Sequence, residues 1–66
     1  MNEDQAFKYL LSDLREKERS LLESLGGGAA TDYPAYREMC GVIRGLRTAQ
    51  LELNDLLRKI KESDDE

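Results

Sequence analysis

The sequence predicts an all-α fold, an antiparallel two-helix hairpin of coiled-coil type that assembles into a helical bundle. Two apolar heptad patterns flank a run of three glycines at residues 26–28, and apolar residues spaced by three and four mark one face of an α-helix. Val42 is the only valine, so residues that favour strands are scarce. A chain of 66 residues forms one domain at most.

The first predicted helix covers about residues 3–25. Its apolar face consists of Phe7, Leu11, Leu14, Leu21 and Leu25. Glu18 interrupts this face with a charge. Glycine ends helices at little cost, so residues 26–32 are predicted to form a Gly-rich loop that returns the chain antiparallel.

The second predicted helix covers about residues 34–61. Pro34 suits a first helical turn, and Asp32 is placed to accept hydrogen bonds from its free N–H groups. Its two heptad rows are Tyr36, Ile43, Gln50 and Leu57, and Met39, Leu46, Leu53 and Ile60. Four sustained heptads are typical of a coiled coil. Residues 62–66 are predicted to be an acidic, disordered tail.

Some apolar residues exceed what a two-helix seam can cover. The residues predicted to contact a second copy or a partner are Leu10, Leu22, Gly41, Gly45, Leu51 and Leu56. A four-helix bundle would bury the leucines, and small residues let another helix approach closely. The competing interpretation of the leucines is that they belong to the hairpin's own core. For the glycines, the alternatives are an approach by helix 1 and neutral tolerance without a contact. Glu18 is predicted to lie opposite residues 41–45, with Arg44 as its partner.

A second cluster lies around the loop, where the chain is relatively positive. Its members are Gly26, Gly27, Gly28, Tyr33, Tyr36, Arg37 and Arg44. Arginine pairs with phosphate, tyrosines stack on bases, and loop N–H groups at a helix start favour anions. The competing interpretation is ordinary solvated or ion-paired arginines, because no phosphate-loop motif is present.

Composition excludes several classes of function. The chain has no histidine and one cysteine, so neither a disulfide within the monomer nor a common zinc set is available. We predict no catalytic residue, no metal and no cofactor, and therefore no enzyme. A net charge of −4 argues against direct DNA binding. No apolar stretch suggests a membrane span, and a reduced, intracellular setting is expected.

Residues 32–46 carry a recognisable pattern, Asp-Tyr-x-x-Tyr followed by Gly-x-Ile-x-Gly-Leu. Its elements here are Asp32, Tyr33, Tyr36, Gly41, Ile43, Gly45 and Leu46. The segment resembles small, mostly uncharacterised proteins of tailed bacteriophages, whose genes often lie among those for head and portal assembly. The first helix does not match in detail. The resemblance implies a phage origin but assigns no activity and no catalytic residue.

Two functional hypotheses follow. The first is a non-enzymatic phage accessory protein, associated with the head or portal region of the virion, which binds itself and a larger capsid or portal protein. The second is an anti-defence or host-takeover factor. That factor would either inhibit a host protein or act as an oligomeric sponge for a cyclic oligonucleotide signal. Both hypotheses predict activity in the host cell cytoplasm, and the first also predicts a place in the virion.

Overall fold

Two long α-helices form an antiparallel hairpin. The computed structural model describes the backbone of residues 2–64 and the side chains of residues 2–63. Helix α1 spans Glu3–Gly26 and helix α2 spans Tyr33–Asp64. The hairpin is an elongated body of 52 × 19 × 12 Å. The predicted all-α hairpin is therefore confirmed.

A capping box fixes the start of α1. The Asn2 side-chain oxygen accepts a hydrogen bond of 2.8 Å from the Gln5 N–H, and the Gln5 side chain accepts one of 3.2 Å from the Asn2 N–H. The two bonds satisfy donors that a helix start otherwise leaves free. Glu3 and Asp4 in the first turn add favourable charge at the positive end of the helix dipole.

The glycine run ends α1 one residue later than predicted, at Gly26. The N–H of Gly27 donates to the Glu23 carbonyl at 2.9 Å. Gly28 has a φ of +89°, a conformation that side-chain-bearing residues rarely adopt. This residue turns the chain away from the helix axis and towards α2.

Helix α2 is longer than predicted at both ends. The Asp32 carboxylate caps its start, accepting a hydrogen bond of 2.8 Å from the Ala35 N–H, which confirms the predicted capping role. The helix continues through Asp64, so residues 62–64 are helical and do not belong to a disordered tail. Lys61 in the last turn favours this extension, because a cation stabilises a helix C-terminus. The remaining predicted tail, residues 65–66, lies outside the described residues.

The apolar faces of the two helices meet along a thin seam. All five predicted apolar positions of α1 are half-buried. Within residues 2–63 only Ile43 and Leu53 are buried, with 5% and 8% of their surface exposed. Tyr36 was predicted at a seam position, but 46% of its surface is exposed. The last turn of α1 lies beside a later part of α2, where Leu25 is next to Cys40 and Ile43. Each helix covers only one side of the other, so the hairpin has little interior.

Candidate protein-binding surfaces

One long side of the hairpin carries a shallow apolar groove between the helices. It is lined by Leu10, Leu14, Ala49, Glu52, Leu53 and Leu56. Leu10 and Leu56 face each other across it and keep 45% and 43% of their surface exposed. We call this the Leu56 groove. It brings together two of the predicted contact residues, one from each helix.

The opposite side of the hairpin carries a different groove. It is lined by Leu22, Leu25, Cys40, Ile43, Arg44 and Arg47. Leu22 is 40% exposed, and the two arginines make this side basic. We call this the Leu22 groove. The predicted contact residues Leu10 and Leu22 thus lie on opposite sides, because each flanks the α1 seam from a different edge.

Leu51 belongs to neither groove. It is 69% exposed and lies five residues before Leu56, which is about 140° around the helix at 3.6 residues per turn. The six predicted contact residues therefore do not form a single surface.

The two helix-interior glycines face open space. A Cβ atom added at Gly41 or at Gly45 would have no heavy atom within 4 Å. The interpretation that α1 approaches these glycines is wrong, because the α1 seam lies on the Met39–Ile43–Leu46 side of α2. The possibility of a close approach by a neighbouring copy stays a prediction.

A further stripe of heptad spacing runs along α2, next to its two seam rows, and shares three residues with the Leu56 groove. It alternates steps of four and three residues through Glu38, Val42, Gly45, Ala49, Glu52, Leu56 and Lys59. We call it the outer stripe. Val42 is 48% exposed and Ala49 is half-buried. The sequence analysis identified Gly45 and Leu56 as contact residues but missed Val42 and Ala49. The alternating steps of four and three residues that connect all four are present in the sequence.

A polar cluster crosses the seam near its middle. One carboxylate oxygen of Glu18 lies 2.8 Å from the Arg47 Nε, and the other lies 2.8 Å from the Gln50 Nε2. The prediction that Arg44 pairs with Glu18 is wrong, because the partner is Arg47, three residues and almost one turn further along α2. The two helices are therefore offset by more than a hairpin centred on the loop would have. The hydrogen bond from Arg47, and then that from Gln50, lowers the pKa of Glu18 below its ordinary value of 4.5.

The predicted aromatic and basic residues at the start of α2 do meet. The rings of Tyr33 and Tyr36 stack with centroids 6.4 Å apart and an interplanar angle of 20°. The Cζ of Arg37 lies 6.0 Å from the centroid of Tyr33, within the range of a cation–π contact. Together with Cys40, Gly41 and Arg44, these residues line a shallow depression, here called the tyrosine–arginine depression.

The glycine loop does not contribute free donors to this depression. The N–H groups of Gly27, Gly28 and Ala29 donate to carbonyls in the last turns of α1 at 2.9, 3.2 and 3.0 Å. Gly26 lies in the last turn of α1 itself. The free N–H groups expected of Gly26, Gly27 and Gly28 are therefore already used to close the helix, and an anion contact at the loop stays a prediction.

The tyrosine hydroxyl in the depression is a weaker acid than usual. A side-chain hydrogen bond with Cys40, one turn further along α2, raises the pKa of Tyr36 above its ordinary value of 10.0. A tyrosine hydroxyl is protonated at neutral pH with or without this shift, so the raised pKa does not change the charge of the depression.

Neither α1 nor α2 has the length and apolar character needed to cross a bilayer. Within residues 2–63, no group of three or more cysteine, aspartate or glutamate side chains is arranged to hold a metal ion.

Comparison with known proteins gave no relative. The chain matches no protein-family model, no curated protein and no solved structure.

Proposed function

We propose that this chain is a non-enzymatic, protein-binding hairpin of a tailed bacteriophage, which assembles with copies of itself and acts in the head or portal region of the particle. The observation that carries the protein-binding role is the pair Leu10 and Leu56, exposed side by side across one groove. Apolar groups gathered on one side and rimmed by charge are typical of protein interaction sites.

The thin seam supports self-association in particular. A chain of this size rarely reaches comfortable stability from its own core, and oligomerisation is a usual remedy. Covering the Leu56 groove would contribute roughly 25 cal/mol for each Å² of apolar surface removed from water. Association would thus stabilise the fold, and the melting temperature should rise with protein concentration.

The Leu22 groove suits a different partner. Arg44 and Arg47 border it; Arg47 is paired with Glu18 at 2.8 Å, so Arg44 carries the remaining basic charge of this side. We propose that this basic side contacts an acidic surface of a larger phage protein, while the Leu56 groove faces a second copy. The resemblance of residues 32–46 to small phage proteins supports a capsid or portal protein as that partner.

Mass spectrometry of purified particles tests the virion role. Particles from a density gradient should contain this chain at a constant ratio to the major capsid protein across the peak fractions. A non-structural phage protein of similar size serves as the control for carry-over. Abundance in the infected lysate together with absence from the particles would contradict the proposal.

The second candidate function is an anti-defence factor, and the tyrosine–arginine depression favours its nucleotide-sponge form. Stacked tyrosines offer a platform for a base, and arginine pairs with phosphate. The paired loop N–H groups weigh against this candidate, because the loop supplies none of the backbone donors that an anion site would use. The inhibitor form, in which acidic helix surfaces bind a host protein, predicts capture of that protein and absence from particles.

A further inference from the structure

We propose that two copies of the hairpin pair through their outer stripes in an antiparallel orientation, with the loop end of one beside the terminal end of the other. This inference rests on the self-association in the proposed function and adds the contact surface and the orientation. It is independent of where in the infection cycle the protein acts.

The centre of the outer stripe is small and apolar. Gly45 and Ala49 present almost no side chain at mid-helix, and Val42 and Leu56 flank them at 48% and 43% exposure. A second helix can approach the small centre of this surface closely, and Val42 and Leu56 then pack against Leu56 and Val42 of the other copy. A twofold axis near Ala49 brings the Val42 end of one stripe to the Leu56 end of the other.

The charges at the ends of the stripe select the orientation. Glu38 lies towards the loop and Lys59 towards the termini. Antiparallel pairing sets Glu38 beside Lys59 of the second copy, at both ends of the contact. Parallel pairing would instead set each of these charges, and that of Glu52, beside its own equivalent, and like charges in contact are unfavourable.

The distribution of the remaining charges of the hairpin also favours antiparallel pairing. The half that contains the loop, residues 14–47, carries six basic and five acidic side chains. The half that contains the termini, residues 2–13 and 48–63, carries four basic and six acidic side chains. Antiparallel pairing places the relatively positive half against the negative half, and it also opposes the dipoles of the two α2 helices.

The available area is sufficient. A stable, specific interface takes about 800 Å² from each partner. One long side of a hairpin measuring 52 by 19 Å offers a surface of this order. The Leu56 groove lies along that side, so Leu10 would become covered at the edge of the contact.

Distance measurement between spin labels tests the orientation directly. In a Cys40→Ser background, a single label is placed at Ser63→Cys or at Thr48→Cys, both exposed positions on α2. Residue 63 lies 14 residues from Ala49, so the antiparallel pair predicts labels about 40 Å apart at a rise of 1.5 Å per residue. The label at residue 48 lies beside the axis and should give a distance below about 25 Å, given helix axes about 8–10 Å apart.

The outcomes separate the alternatives. A long distance at residue 63 with a short one at residue 48 supports the proposal. Short distances at both positions indicate parallel pairing, and long distances at both indicate contact through another surface. Either result overturns the proposal, as does a monomer without dipolar coupling. The virion role would still be decided by the particle composition alone.

A charge-exchange series provides the second measurement. Glu38→Lys and Lys59→Glu should each weaken the antiparallel dimer by about tenfold in Kd, corresponding to about 1.4 kcal/mol, because two like-charge contacts replace two ion pairs. The double variant Glu38→Lys/Lys59→Glu should restore the affinity. A double variant as weak as either single variant would contradict the antiparallel contact.

Discussion

The side chain of Gln50 donates a hydrogen bond of 2.8 Å to the carboxylate of Glu18, so the two polar residues that interrupt the apolar rows of α1 and α2 meet each other. Arg47 holds the second carboxylate oxygen at the same distance. The carboxylate keeps only 17% of its side-chain surface exposed. Slipping one helix by a turn would leave Glu18 with at most one of these two partners, so the paired contacts favour the observed register of the hairpin.

The lowered pKa of Glu18 predicts a pH-dependent contribution to stability. The folded carboxyl releases its proton more readily than the unfolded one, so the contribution is complete above the ordinary value of 4.5 and is lost as the pH falls through the lowered folded pKa. Glu18→Gln should melt at a lower temperature than the wild type at pH 7, and the gap should narrow towards pH 3. Glu16→Gln, whose carboxylate pairs only within α1 at 3.0 Å, serves as the control. A gap that stays constant from pH 7 to pH 3 would refute this role.

Replacing both polar seam residues should raise the thermal stability and, at the same time, allow more than one oligomeric state. Glu18→Leu/Gln50→Leu makes the seam continuously apolar and should raise the melting temperature. A buried polar position specifies register and oligomer state at a cost in stability, so the double variant should also form a broader range of assemblies. Thermal melts and size-exclusion chromatography with light scattering measure the two effects. A less stable double variant with the wild-type mass would show that the cluster contributes stability alone.

The sequence was sufficient to predict the elements and the seam. Heptad spacing identified Ile43 and Leu53 as seam positions, and Asp32 and the glycine run marked the helix ends. The partner of Glu18 was not predictable in the same way, because it depends on how far the loop advances the chain before α2 begins. In the hairpin Glu18 lies opposite Arg47 and Gln50, three and six residues beyond the predicted partner Arg44.

The contact surface was only partly predictable for a related reason. Exposed leucines can be counted in a sequence, but whether Leu10 and Leu22 share a side depends on the edge of the seam that each one flanks. Only the assembled hairpin pairs Leu10 with Leu56 and separates both from Leu22 and Leu51. The outer stripe becomes apparent once α1 is assigned to the neighbouring Met39–Ile43–Leu46 side of α2.

The glycines of α2 predict two different outcomes. Gly41→Ala should stabilise the hairpin by about 1 kcal/mol, because the new methyl group enters open space and glycine is a poor helix former. Gly45→Leu also fits the isolated hairpin but should weaken the dimer, with overpacking that costs about 1–3 kcal/mol. Denaturant melts and sedimentation equilibrium separate the two effects. A Gly45→Leu variant that associates as tightly as Gly41→Ala would place Gly45 outside the interface.

The tyrosine–arginine depression predicts the outcome of a ligand screen. If the chain were a nucleotide sponge, calorimetry against cyclic di- and trinucleotides would detect binding, and Arg37→Ala would weaken it by about 1.5–3 kcal/mol, the scale of a charged hydrogen bond. We expect no heat, because the loop N–H groups are already paired. Arg58→Ala, in the second half of α2, is the matched control. Tight binding that only Arg37→Ala removes would favour the anti-defence function over the virion role.

The mass of the protein in solution, measured with two matched leucine variants, tests the central claim most directly. Light scattering at micromolar concentration should give the wild type at least twice the 7.5 kDa monomer mass. Leu56→Glu should reduce the mass to that of the monomer, because a charge enters the outer stripe. Leu51→Glu makes the same chemical change at a position that is 69% exposed and should leave the mass unchanged, with circular dichroism confirming that both variants remain helical. A monomeric wild type, or a Leu56→Glu variant that keeps the wild-type mass, would contradict self-association through this surface.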